Sequence, residues 1–253
     1  MASKSPSHAT LIILQKFLRA NAGDLSQAKA QLKEALKWRQ MYKPLDALSE
    51  TFSSEKFGGL GYVLPSLRGA KETGNETDVV TFNIYGAAAK NFKLTCGDTD
   101  TFIRWRVALM KLTLQQLHLN EATKPMPDSG QEPDPYQAIQ VHDCRPVSFF
   151  RQPAEIKASS TEIIEMFQRY YPETVSYKYF TNVPLVMQWM MGVMKLLVSR
   201  ETVKKMTWMT YGSQLVLYLG EEVPVEYGGR GKGLGGRALT VKYDGQEAAK
   251  GME

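Results

Sequence analysis

Two cysteines and three histidines are all that these 253 residues hold of the side chains best suited to bind metals or act as nucleophile and base. Cys96 and Cys144 are too few for a disulfide framework, so a reducing, intracellular setting is expected. A zinc centre needs about four ligands in paired spacings, and His8, His118, His142, Cys96 and Cys144 show none. No nucleophile motif surrounds Cys144, and a histidine two residues back on one strand is not how a cysteine hydrolase supplies its base. Long apolar runs are missing too. The longest, "VPLVMQWMMGVMKLLV" at 183–198, is broken by Gln188 and Lys195. It falls short of the roughly 20 residues of a spanning helix and reads as a buried or membrane-surface helix. The opening "MASKSPSHATLIILQKFL" lacks an apolar core followed by a small-residue cleavage site, so no secretory signal is expected. Basic residues exceed acidic ones, 31 to 26, without forming a block. No RNP-type, helix-turn-helix or basic heptad pattern accompanies them, which argues against nucleic acid; scattered positive charge suits an anionic membrane surface or a phosphate ligand. "GGRGKGLGG" at 228–236 lacks the Walker spacing, and residues 233–253 read as a flexible tail.

What is present suits a folded protein with a sizeable core: 43% apolar and 23% charged residues. "TLIILQKFLRA" and residues 24–40 read as two helices separated by "NAGD" and closed by Pro44. In the second, Leu25, Ala28, Leu32, Ala35 and Leu36 recur at helical spacing. "DVVTFNIYG" at 78–86 is a strand by its β-branched and aromatic content. "DTDTFIRWRVALMKLTLQQLHL" opens on Asp and Thr caps and runs helical to about 119. The four prolines of 120–135 mark a surface loop. A helix is expected from Ser159, capped with Glu162, to Tyr171. Its stripe is Ile163, Ile164, Phe167, Tyr170 and Tyr171, and Pro172 stops it. Strands around "VSYKYFTNV" and "KMTWMTY" and a helix in "GSQLVLYLG" follow. Alternating strands and helices predict an α/β fold with a substantially parallel sheet.

The chemistry concentrates in "AIQVHDCRPVSFF" at 138–150, which reads as a buried strand. Period-two alternation puts His142 and Cys144 on one face and Asp143 on the other. The plain alternative is that Cys144 is a small buried hydrophobe and His142 a hydrogen-bonded core residue. A haem iron, however, needs only one strong protein ligand, and a thiolate or an imidazole serves.

Three stretches together resemble the CRAL-TRIO lipid-transfer family, in the right order over residues 10 to about 230. "ILQKFLRANAGDLSQAKAQLKEALKWRQ" is similar to its N-terminal helical module, "YYPETVSYKYFTNVP" to its Tyr-Tyr-Pro-Glu segment followed by Asn-x-Pro, and "VPVEYGG" to its terminal Pro-x-x-Tyr-Gly-Gly. "VTFNIYG", "FIRWRVALM", "QVHDCRPVSFFRQ" and "KYFTNVP" look like its fungal phosphatidylinositol-transfer branch, whose members are described as binding haem b in the lipid cavity. The resemblance implies an N-terminal helical module at 1–45. A domain at 46–232 follows, in which a mixed sheet floors an apolar cavity closed by a gating helix at 184–198. Met187, Met190, Met191 and Met194 of that helix supply soft, repackable surface.

Carried over from the family, the phosphatidylinositol headgroup contacts fall on Glu173, Thr202 and Lys205, and a further basic contact falls on Asn21, which does not match. The haem contacts fall on Tyr85, Arg106, His142 and Lys178; Arg106 and Lys178 suit propionates. The branch's iron ligand is a tyrosine two residues after a histidine, where this chain has Cys144; Cys144 is thus the implied axial ligand, with His142 the alternative. The implied function is a carrier of phosphatidylinositol and of haem b, linked to phosphoinositide homeostasis or oxidant stress. As a carrier it is expected to be a cytoplasmic monomer, peripherally associated with anionic membranes such as endoplasmic reticulum, and not an enzyme. A thiolate-ligated haem enzyme for peroxide or oxygen chemistry is the alternative, disfavoured because no distal acid or base residue is evident.

Overall fold

The structure is a computed structural model that describes residues 5–86, 92–127, 134–145, 154–185 and 203–245. Thr202 and nearly all of the expected gating helix, including Met187, Met190, Met191 and Met194, lie outside the described residues.

Helix α1 (His8–Ala20) begins where the Ser7 hydroxyl accepts from the Thr10 amide, and α2 (Leu25–Tyr42) where the Asp24 carboxylate accepts from Gln27. Each cap satisfies one of the orphan amides of a first turn. Helix α2 ends on Lys43 in the left-handed region, just before Pro44. A short strand β1 (Thr51–Phe52) and a helical turn α3 (Ser54–Phe57) lead into β2 (Gly61–Arg68) and β3 (Thr77–Ile84). Then come α4 (Phe92–Cys96) and α5 (Thr99–Gln116), the latter capped by Asp98. The remaining elements are β4 (Ala138–Asp143), α6 (Ala154–Tyr170), β5 (Val175–Thr181), β6 (Met206–Trp208), α7 (Val216–Leu219), α8 (Leu234–Arg237) and β7 (Lys242–Tyr243).

The main sheet runs β2-β3-β4-β5-β6. Only β2 and β3 are antiparallel; β3 through β6 are parallel. The expected mixed α/β architecture is therefore present, with the strand β2 as its unforeseen antiparallel edge. Pro65 and the bulge between Leu64 and Leu67 break its alternation, which conceals it from a period-two reading.

The sheet has two differently used faces. Ile139 and Val141 join Phe82, Tyr179 and Tyr227 in one apolar core, while Gln140, His142 and Lys178 turn to the other face. Helix α5 packs over β2, and Gly61 permits the approach: a Cβ there would lie 2.6 Å from Leu109 Cδ2 and 2.9 Å from Trp105 Cζ2.

Two local expectations are corrected. Helix α6 starts at Ala154, so Ser159 is not its cap; it lies inside the helix, 1% exposed, with its hydroxyl 3.1 Å from that of Thr99. The described parts of the proline-rich stretch are the surface loop expected, pinned where Met126 and the following Tyr136 pack on Ile12 of α1. The expected flexible tail is ordered to residue 245. Val63 and Leu239 exchange backbone hydrogen bonds of 2.8 Å, β7 pairs with β1, and the buried Tyr243 hydroxyl accepts from Trp105 Nε1 at 3.2 Å. Its apolar residues are few, but Leu234, Val241 and Tyr243 each find a place in the core. The loop before it is ordered as well: a Cβ on Gly229 would meet Val223 O at 1.8 Å, and Glu226 caps the Leu234 amide at 3.0 Å.

Candidate functional site

A cavity of about 590 Å³ lies between one face of the sheet and helices α5 and α6. Tyr85, Arg106, His142, Glu173, Lys178 and Lys205 all line it, so six of the sequence-derived candidates meet in one place. Met110, Ile163, Phe167 and Met206 supply apolar wall. Strand register explains part of the convergence, because His142 pairs with Asn83 on one side and Phe180 on the other, while Gln140 pairs with Lys178. In-register neighbours of a parallel sheet point to the same face.

His142 is 6% exposed. Its ring stacks between Tyr85, with centroids 5.4 Å apart, and Phe180, at 4.8 Å. Phe180 in turn stacks on Trp208 at 5.8 Å, making a flat ladder of four rings across the sheet. Burial, reinforced by the charges of Lys178 and Arg106, holds the imidazole pKa well below its ordinary value. The ring is therefore neutral near pH 7, and among the described residues its buried Nδ1 has no hydrogen-bond partner. Ser176 Oγ and Tyr171 Oη, on two other lining residues, are likewise buried without a partner. Buried polar atoms are rarely left so, since each unpaired group costs about 1–3 kcal/mol.

The cations are also under-compensated. Arg106 is 5% exposed and donates to Asn83 Oδ1. Its guanidinium lies 5.7 Å from the Trp105 ring and 5.9 Å from Phe167. Burial lowers its pKa, opposed only by the Tyr85 phenol, whose own pKa is raised by burial. Burial alone lowers that of Lys178, whose amide donates to Lys205 O at 2.8 Å. The cavity thus has an apolar, aromatic wall and a positive lining, the chemistry for an amphiphile or macrocycle bearing negative charge.

Cys144 is placed apart from the others. It is 5% exposed, follows the end of β4, and packs with Val183 beside Phe180 and Trp208 rather than on the cavity lining. Its thiol donates to His142 O at 3.7 Å. Burial, with the Asp143 charge adding to it, pushes the pKa up to about 12. The Cys144 amide still donates to Thr181 O at 3.0 Å, and its side chain packs on Phe180 and Trp208 of the ladder that flanks His142, but it is not among the residues lining the described cavity. Asn21, the mismatched headgroup position, spends its amide on Phe17 O at 2.9 Å and Gln31 Oε1 at 2.6 Å.

One functionally placed residue was missed by sequence reasoning. Asp143 points to the opposite face, where its carboxylate accepts from Asn182 Nδ2 at 2.8 Å, Arg145 N at 3.0 Å and the Tyr227 hydroxyl at 3.2 Å. Asn182, itself at φ 57°, also accepts from Gly212 N at 2.8 Å. This knot ties the ends of β4 and β5 to the "VPVEYGG" segment directly behind His142. The Asn-x-Pro and Tyr-Gly-Gly motifs were the signal, read as family marks without their shared partner. A second cleft of about 560 Å³ by Tyr42 and Arg104 has its arginine paired with Glu50 at 3.0 Å. Among the described residues no group of three or more His, Cys, Asp or Glu side chains converges, and no helix is long and apolar enough to cross a membrane.

A sheet flooring a positively lined, half-apolar cavity defines an amphiphile-binding fold, and the comparisons specify which. Residues 78–229 match the CRAL/TRIO domain, and the chain belongs to that family. It is 50% identical over 252 residues to a phosphatidylinositol transfer protein SFH5 of Phaeosphaeria nodorum, covering 100% of this chain and 72% of that one. A protein of the same name from Sclerotinia sclerotiorum is 47% identical over 247 residues, 95% of this chain and 57% of its own. The chain thus spans little more than half the length of some relatives. The crystal structure of Sfh5 superposes with a TM-score of 0.76 at 29% identity, covering 94% of this chain and 78% of that one.

Proposed function

We propose that this chain binds phosphatidylinositol and transfers it between membranes. The observation that carries the reading is the split lining of the cavity, apolar at Met110, Ile163, Phe167 and Met206 and charged at Glu173, Lys178 and Lys205. Such a surface accepts an acyl chain and an anionic headgroup together. In this reading Lys205 meets the phosphate, while Glu173 and Thr202 take inositol hydroxyls. The names of the SFH5 relatives support the lipid assigned. The protein acts as a monomeric carrier rather than an enzyme. It visits the cytoplasmic face of the endoplasmic reticulum or other anionic membranes peripherally, drawn by a net charge of +5, in the service of phosphoinositide homeostasis.

The test is transfer of labelled phosphatidylinositol between vesicles by the unaltered chain and by Lys205→Ala. Loss of one charge-assisted phosphate contact, about 1.5–3 kcal/mol, is expected to weaken binding about tenfold to a hundredfold. Unchanged transfer by the variant refutes the headgroup assignment.

A second ligand, haem b, is favoured by one observation: the neutral His142 ring presents a buried, unpartnered Nδ1 among flat aromatic rings, with Arg106 and Lys178 nearby for propionates. The donor set fits that group. His142 is the better placed iron ligand. Cys144 would have to lose a proton that its surroundings retain, which weighs against a thiolate-ligated haem enzyme. Tyr85 would close one side of the site. Bound haem would serve as carried cofactor or in the response to oxidants. Protein expressed with ample haem is expected to show a haem absorption spectrum that survives Cys144→Ala and is lost in His142→Ala. Loss in Cys144→Ala instead returns the ligand to the thiol, and a colourless unaltered protein refutes haem binding.

A further inference from the structure

Lys16 is a lysine of the N-terminal helix buried to 4% exposure, and its surroundings account for that position. The three donors of its ammonium meet three acceptors: Glu173 O at 2.6 Å, Tyr136 O at 2.9 Å and Asp134 Oδ2 at 3.3 Å. Arg19 adds a second cation 3.7 Å from Asp134. Gln137, also buried, grips the same glutamate twice, donating Nε2 to Glu173 O at 3.3 Å and to Glu173 Oε2 at 3.2 Å.

Glu173 itself is strained. Its φ of 52° lies in the left-handed region, where the Cβ of a non-glycine residue crowds the following carbonyl oxygen. Such a conformation persists only where the surroundings over-determine it, and here the carbonyl it turns out is held by the Lys16 ammonium and the Gln137 amide together. The same arrangement occupies one carboxylate oxygen with Gln137 and leaves the other without a hydrogen bond among the described residues, on a residue that lines the cavity.

We propose that Lys16 and Gln137 are positioning residues for the headgroup end of the cavity. By fixing the left-handed turn at Glu173 they aim its carboxylate at ligand hydroxyls, so that the N-terminal helical module, through Lys16, sets headgroup selectivity without touching the ligand. The inference rests on the phosphatidylinositol reading and deepens it. A carboxylate whose backbone carbonyl is held by Lys16 and Gln137 and whose Oε2 is held by Gln137 loses less conformational freedom on binding than a free one, and the gain is specific to a headgroup with hydroxyls to donate.

The experiment measures binding of phosphatidylinositol and of phosphatidylcholine, each presented in vesicles, to the full chain and to Lys16→Met, Gln137→Leu and Glu173→Ala. The expected result is that the first two variants lose about tenfold in preference for phosphatidylinositol over phosphatidylcholine, reproducing Glu173→Ala. Gln137→Glu, which sets a second carboxylate beside Glu173 at nearly constant volume, should do the same. A parallel loss of both lipids means a merely structural role and overturns the inference, as does an unaltered preference in Lys16→Met and Gln137→Leu. If Lys16→Met does not fold, Gln137→Leu and Gln137→Glu decide. An unaltered chain with no preference for phosphatidylinositol refutes the functional reading and the inference with it; a preference lost in Glu173→Ala but kept in the other variants refutes the inference alone.

Discussion

Protonation of His142 is the perturbation that most directly tests how dry the cavity wall is. The ring is stacked between Tyr85 and Phe180 and repelled, when charged, by Lys178 and Arg106. In the unfolded chain it takes a proton near its ordinary pKa of 6.5, whereas in the folded state it stays neutral to well below that. The unfolded state therefore binds more protons as the pH falls, and stability is present above 6.5 and lost below it. At about pH 5, roughly 1.5 units under the unfolded value, linkage bounds the loss at about 2 kcal/mol. Against a total stability of about 5–15 kcal/mol that is readily measured. The assay is urea unfolding at about pH 7.5 and about pH 5 for the unaltered chain and for His142→Phe, which keeps a flat ring in the stack and cannot titrate. His8 and His118 are exposed and present in both proteins, so the difference between the two pH dependences isolates His142. The unaltered chain should lose more than the variant, by up to about 2 kcal/mol. Equal losses would mean that the imidazole accepts a proton in place, and would refute the dry, cation-flanked wall.

Tyr227→Phe removes the hydroxyl that the buried Asp143 carboxylate accepts at 3.2 Å, and is expected to cost about 1.5–3 kcal/mol in the same unfolding assay; a cost near zero would show that the knot behind His142 is not under tension from this contact. Truncation after Lys232 removes Leu234, Val241 and Tyr243 from the core. At about 1.5–3 kcal/mol for each buried side chain, the shortened protein should lack a cooperative thermal transition, and a melt matching the full chain would restore the view of 233–253 as a tail.

Periodicity reached as far as local rules reach. The caps at Asp24 and Asp98, the apolar run of α5 and the β-branched strand β3 are written in consecutive residues, and each formed within a few positions of its expected bounds. The strand reading of 138–150, of which Ala138–Asp143 forms β4, likewise put His142 and Asp143 on opposite faces, as they are. Family motifs supplied the rest of the cavity lining, since nothing local to Lys178 or Glu173 marks either as facing a ligand.

What tertiary structure alone decided is whatever depends on partners distant in the chain. Cys144 reads as a ligand by its spacing from His142; the fold sets its side chain against Val183, Phe180 and Trp208, off the lining of the described cavity. Residues 234–245 look like a tail because five apolar residues scattered among glycines and charges fail any window average, yet the edge of β2 and the Trp105 indole give them hydrogen bonds and burial. Lys16 reads as a solvated residue on an amphipathic helix, and only the folded chain brings it three acceptors from residues more than a hundred positions away. The sequence by itself determined the elements, their order and the chemistry available to the cavity, because those follow from neighbours along the chain. Which side chains share the cavity, which are withdrawn from it and which hold the others in place was decided by packing, because burial and hydrogen-bond satisfaction are properties of the whole fold.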